Sequence, residues 1–189
     1  MFLSPPYVFE PAGLFTAAHL TLFFCTVCAL AAGLWLCRTM TETGVRRTAL
    51  VVSLLLWVLE ILKIAFVLSR LPSPTPNEYV PLYFCSIVLV AAPLSALGRG
   101  RLRLAGDAFL ATAGLVGGIV FLLMPTTSLP RYPALHFISL HSFLLHGLMV
   151  FLGILLLFRG IYRTRLRDIG YPALLISIFC GAAYLFNIL

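Results

Sequence analysis

Six apolar runs, each about as long as a bilayer is thick, recur along this chain at 14–37, 48–70, 79–98, 105–124, 135–158 and 170–188. Each is near the roughly 20 residues that a helix needs to cross the hydrocarbon core. The connections between them are short, and none is large enough to fold alone. These runs predict an all-α protein: one polytopic domain over 1–189, a six-helix transmembrane bundle. Composition agrees, with 61% of residues hydrophobic and 10% charged. A soluble domain of this size has too much surface to cover with so few polar groups.

The formal net charge of +7 does not point to nucleic acid, because the basic residues sit in short clusters between apolar runs. Arg38, Arg46, Arg47, Arg99, Arg101, Arg103, Arg159, Arg163, Arg165 and Arg167 follow runs one, three and five, whereas only Arg70 and Arg131 fall on the opposite side. The positive-inside rule therefore places the arginine-rich loops in the cytoplasm and both termini on the non-cytoplasmic side. The opening "MFLSPPYVFEPAG" lacks a basic residue. The first run is also too long for a signal-peptide core, so cleavage is not expected.

With the topology assigned, depth follows from the 1.5 Å helical rise. His19, Cys85, His141 and Lys63 fall about 7 to 10 Å below the outer end of their runs, and Glu60 and His146 about 15 to 17 Å. Asn187 marks the outer edge of the last run. Ionisable groups are costly in lipid, so these side chains should face a shared protein interior. His141 and His146 are expected in one polar pocket opening outward, with Glu60 meeting His146; His136 is expected at the interface. Asp107 is the main polar exception in the inner half. Glu60 and Lys63 stand at i, i+3, the spacing of an ion pair on one helix face.

His136, His141 and His146 are spaced by five, which turns each about 140° from the last. A metal site on this helix alone would need spacings of three or four, so no metal is expected, nor any cofactor. Cys25, Cys28, Cys37, Cys85 and Cys180 are scattered through the runs. The Cys25–Cys28 pair reads as small apolar filler rather than a redox motif. Gly114 and Gly118 form a small-xxx-small spacing that lets run four approach a neighbour. Pro93 frees the carbonyl four residues earlier and should kink run three.

"FTAAHL", "LLWVLEILK", "VPLYFCSIVLVAAPLSAL" and "HGLMVFLG", in that order and with Met124–Pro125 closing run four, resemble the YwaF-type bacterial integral membrane proteins. That family is related to the animal transmembrane protein 164, a phospholipid acyltransferase. The resemblance implies a bacterial cytoplasmic membrane, a membrane phospholipid as substrate or boundary lipid, and acyl transfer. It carries the family's span-one histidine onto His19, its glutamate onto Glu60, its cysteine onto Cys85 and its His-Gly onto His146–Gly147. Where the family has a histidine two residues before the cysteine, this chain has Tyr83.

Acyl transfer at such a site would use Cys85 as nucleophile, with His146 or His141 taking the thiol proton and Glu60 fixing the tautomer. Ser86 is a second nucleophile for a hydrolytic variant. His19, Lys63, Tyr83, Ser86 and Asn187 are the expected substrate contacts. Two other classes fit the same residues: a transporter or channel using them as a relay, and a non-catalytic partner protein. Nothing in the sequence specifies an oligomeric state.

Overall fold

The computed structural model describes residues 1–71 and 73–188, and every regular element among them is helical. In chain order these are α1 (Ala17–Leu36), α2 (Glu42–Arg70), α3 (Pro76–Tyr79), a 3₁₀ turn (Phe84–Ile87), α4 (Val88–Leu97) and α5 (Arg101–Phe109). A π-helical turn (Leu110–Gly114) joins α5 to α6 (Leu115–Leu123); α7 (Phe137–Phe158), a 3₁₀ turn (Leu166–Asp168) and α8 (Gly170–Ile188) follow. Among the described residues, five helical stretches are long and apolar enough to cross a membrane, those at Ala17–Leu36, Glu42–Arg70, Arg101–Leu123, Phe137–Phe158 and Leu166–Ile188. The third run of the sequence is shorter than expected: its apolar helix occupies Phe84–Leu97.

Capping fixes where the long helices start. The Thr16 hydroxyl accepts from the His19 N–H at 3.3 Å and the Thr41 hydroxyl from the Gly44 N–H at 3.3 Å. Each thereby pairs an N–H that the helix cannot satisfy itself. With Thr41 as its cap, α2 begins six residues before the expected span and runs for 29 residues, about 43 Å. Arg46 and Arg47 are therefore helical rather than in a loop.

The packed centre is built from α2, α4, the α5–α6 run and α7. Helix α7 buries thirteen residues, whereas α1 buries only His19 and α8 only Pro172. The two outer helices thus offer most of their apolar surface to lipid. Gly106 lets α5 cross α4 closely, since a Cβ there would stand 2.5 Å from the Ala91 carbonyl and the Ser95 nitrogen. Gly118 does the same for α6 on α7, where a Cβ would lie 2.6 Å from Val150 Cγ2. Gly114 does not share that contact; its open side faces Phe109 of its own helical run.

Pro93 lies inside α4 and cannot donate to the Leu89 carbonyl. The Trp57 indole of α2 fills that place, donating Nε1–H to Leu89 O at 3.0 Å. At the arginine-rich end, Arg46 donates to both Asp107 oxygens at 2.5 and 2.8 Å and to the Ser95 carbonyl and hydroxyl, each at 3.0 Å. The Ser95 hydroxyl donates in turn to Asp107 at 2.6 Å. This knot ties α2, α4 and α5 together and accounts for Asp107, the polar exception in the inner half of the runs. Nearby, the Arg159 guanidinium donates to the Arg38 and Met40 carbonyls, joining the first and fifth connections. Burial and the Asp168 carboxylate push the Tyr162 phenol up to about 12, which keeps it a donor to Asp168.

At the opposite end, the N-terminal strap lies across the connection between α6 and α7. Tyr7 N–H donates to Arg131 O, Ala12 N–H to Tyr132 O and Gly13 N–H to Leu129 O. Gly13 at φ 73° supplies the left-handed turn that this path needs.

Candidate functional site

The four histidines divide into two pairs. His19 accepts the Phe15 N–H at Nδ1 (3.0 Å) and donates Nε2–H to the Leu122 carbonyl (3.0 Å). It fastens the start of α1 to the end of α6, and neither nitrogen is left for the substrate contact expected of it. His136, expected at the interface, is fully buried as the N-cap of α7. Its Nδ1 accepts from Ile138 N–H at 3.1 Å, its Nε2 donates to Ser4 O at 3.0 Å, and its ring stacks on Tyr132. Both are fasteners of the end of the bundle where the N-terminal strap lies.

His141 and His146 keep a ring nitrogen open. The Nδ1–H of His146 donates to the Ser142 carbonyl at 2.7 Å, which assigns the lone pair to Nε2. Its ring stacks on Phe121 with centroids 3.5 Å apart and planes 6° from parallel. Gly118, one turn before Phe121 on α6, clears the space beside the His146 carbonyl. His141 Nε2 is buried, has no hydrogen-bond partner among the described residues, and stands 3.8 Å from Glu60 Oε2. The other Glu60 oxygen receives the Lys63 ammonium at 2.5 Å. Glu60 is 1% exposed, so this carboxylate is shielded from solvent on every side.

The expected meeting of Glu60 with His146 is therefore replaced by one with His141. The reason is helix register. Phe66 of α2 packs against His136 and Phe137, each with ring centroids 5.6 Å apart. Thus Phe66, not Arg70, is level with the first turn of α7, and α2 stands proud by about one turn, some 6 Å. Measured from that level, Glu60 lies beside His141. Depths counted from the end of each apolar run missed the offset.

Cys85 is the second residue of the 3₁₀ turn that opens the short third apolar helix. It is half-buried, against the core built by α2, α4 and α7. Glu60 and Lys63 stand on α2, and His141 and His146 on α7, two of the helices that build this core. Gly117 of α6 leaves room for the ring of Phe84, so the turn bearing Cys85 rests on the same helix that stacks on His146. Ser86 is buried beside it and donates its N–H to the Tyr83 carbonyl at 2.9 Å. Tyr83 caps the turn and is 49% exposed. Asn187 lies away from the cluster: its side chain accepts from Asn77 at 2.6 Å and donates to the Ala183 carbonyl at 2.8 Å.

Sequence reasoning missed Phe121 and Ser142. Ser142 was within reach of it, since a helical residue four positions before His146 presents its carbonyl to that side chain. Phe121 had no signal, as nothing distinguishes one phenylalanine in "IVFLL" from its neighbours. A cavity of about 490 Å³ between α1 and α7 includes Gly147 but not Cys85, Glu60, His141 or His146 in its lining.

No curated protein and no solved structure matches this chain. The profile of the TMEM164 family matches residues 14–189, which takes in α1 to α8 and every residue of the cluster. This membrane protein belongs to the TMEM164 family.

Proposed function

We propose that this protein is a lipid-modifying enzyme that transfers acyl chains of phospholipids through Cys85, in the outer half of a bacterial cytoplasmic membrane. The observation that carries the reading is the unpartnered, buried His141 Nε2 facing Glu60, on two helices whose shared core packs against Cys85. A carboxylate on one imidazole nitrogen leaves the other as base, which is the logic of nucleophile–histidine–acid triads.

In the first step His141 takes the Cys85 thiol proton and Sγ attacks the ester carbonyl of a phospholipid. The carbon–oxygen bond to the glycerol breaks, and the alcohol leaves with the proton from His141. The acyl chain is now a thioester on Cys85. In the second step an acceptor hydroxyl gives its proton to His146 Nε2 and attacks the thioester. The carbon–sulfur bond breaks, and Sγ recovers a proton from His146. Lys63 stabilises negative charge on sulfur at the moment of attack. Tyr83, beside the cluster and half-exposed, and Ser86 line the approach to it.

The same reading takes Phe84–Leu97 as a sixth, shortened crossing that begins inside the bilayer, with both termini on the non-cytoplasmic side. The arginine asymmetry supports the orientation. The knot of Arg46, Asp107 and Ser95 at the inner end favours a closed pocket over a transport path. Incubation with a phospholipid carrying a labelled acyl chain, followed by hydroxylamine, tests the thioester.

A further inference from the structure

We infer that the arginine-rich end of the bundle binds the headgroups of anionic phospholipids, centred on the paired motifs Arg101–Leu102–Arg103 and Arg165–Leu166–Arg167. This surface lies apart from the Cys85 cluster and does not depend on acyl transfer. Ten arginines and three carboxylates, Glu42, Asp107 and Asp168, belong to this end, so the whole net charge of +7 sits there. The rest of the chain is balanced: Arg70 and Arg131 stand against Glu10 and Glu78, and Lys63 pairs with Glu60.

The protein's own carboxylates do not use up this charge. Glu42 lies 3.3 Å from Arg46 and 3.9 Å from Arg103, Asp107 takes Arg46, and Asp168 lies 3.7 Å from Arg167. Each carboxylate already has a cation beside it. Arg47, Arg99, Arg101, Arg163 and Arg165 are exposed, and their side chains make no ion pair or hydrogen bond among the described residues. Helix α5 packs on α8 and both begin at this end, so the two motifs stand on neighbouring elements.

Two properties choose the partner. All ten cations are arginine, and Lys63 is the single lysine of the chain. The positive-inside rule counts arginine and lysine alike, so it explains the charge but not the choice. A guanidinium presents a planar fork that matches two oxygens of a phosphate, whereas an ammonium is a point charge. The second property is the pair of leucines: Leu102 is 61% and Leu166 90% exposed, each between two arginines. A soluble polyanion such as RNA would pair with the arginines and leave both leucines in water. An anionic leaflet satisfies both, with the arginines at phosphate and the leucines at the acyl boundary beneath it.

The test uses the full-length protein in vesicles of phosphatidylcholine, with or without phosphatidylglycerol. Phenylglyoxal modifies accessible guanidinium groups, and mass spectrometry reads each arginine. Phosphatidylglycerol should slow modification of Arg101 and Arg165 several-fold more than that of the exposed Arg70 and Arg131 at the other end. Spin-labelled phosphatidylglycerol should be immobilised by the protein several-fold more than spin-labelled phosphatidylcholine. Arg101→Gln with Arg165→Gln should bring the two lipids close together, and Arg101→Lys with Arg165→Lys, which keeps the charge, should fall between. The phenylglyoxal measurement needs no variant, so it decides the matter should the glutamine pair fail to fold. Equal slowing of all four arginines, equal immobilisation of the two lipids, or a lysine pair as selective as the wild type would overturn the inference. So would protection of Arg101 and Arg165 by a short RNA with none from phosphatidylglycerol.

Discussion

His141 Nε2 and Glu60 Oε2 face each other across 3.8 Å, each nearly inaccessible to solvent, with Lys63 on the far carboxylate oxygen. The gap is longer than a hydrogen bond, so His141 is held near the carboxylate without being pinned by it. That arrangement leads to distinct expectations for each member of the cluster.

Lys63→Met should leave the Glu60 carboxylate buried without a counter-charge. Breaking a buried pair from one side costs about 3 kcal/mol or more. Glu60→Gln combined with Lys63→Met should recover much of that loss, because the charge is then gone from both sides. Unfolding midpoints in detergent would check this. Equal midpoints for the single and double variants would mean that Glu60 is already neutral or hydrated.

The two open histidines are expected to separate kinetically. His141→Ala should slow acyl-enzyme formation by roughly two to four orders of magnitude, as loss of a general base does. His146→Ala should still form the acyl-enzyme and accumulate it, because its step comes later. Single-turnover labelling compared with steady-state transfer would distinguish them. Loss of labelling in His146→Ala with retention in His141→Ala would reverse the assignment.

Trp57→Phe should cost about 1–2 kcal/mol by leaving the Leu89 carbonyl without its donor. In a Pro93→Ala background the same change should cost less, since residue 93 can then donate to Leu89 within the helix. The interaction energy from that double-mutant cycle is the measurement; additivity of the two changes would show that Trp57 and Pro93 do not compensate each other.

Reporter fusions at the two termini and in the 159–167 connection test orientation. Both termini should report the non-cytoplasmic side and the arginine-rich connection the cytoplasm. A cytoplasmic C-terminus would invert the placement of the Cys85 cluster in the membrane.

Hydropathy and length made five long helices and their approximate ends legible, because lipid tolerates few alternatives to a helix of bilayer length. The third run was legible as apolar but not as shortened, since a 3₁₀ start at Phe84 leaves no mark in composition. The polar residues could be picked out individually, and the Glu60–Lys63 pair follows from spacing alone. Their partners across helices could not, because the one-turn stagger of α2 on α7 is set by how Phe66 packs on His136 and Phe137. The same limit explains His19 and His136: a histidine bonded to distant backbone and one poised for chemistry look alike in sequence.

The most direct measurement is covalent labelling of Cys85 by lipid. Purified protein incubated with phospholipid bearing a labelled acyl chain should acquire label that neutral hydroxylamine removes. Cys85→Ala should acquire none, and Cys25→Ala, Cys28→Ala and Cys180→Ala should label like the wild type. Equal labelling of wild type and Cys85→Ala, or no label on a wild-type protein that still transfers acyl chains, would contradict the mechanism.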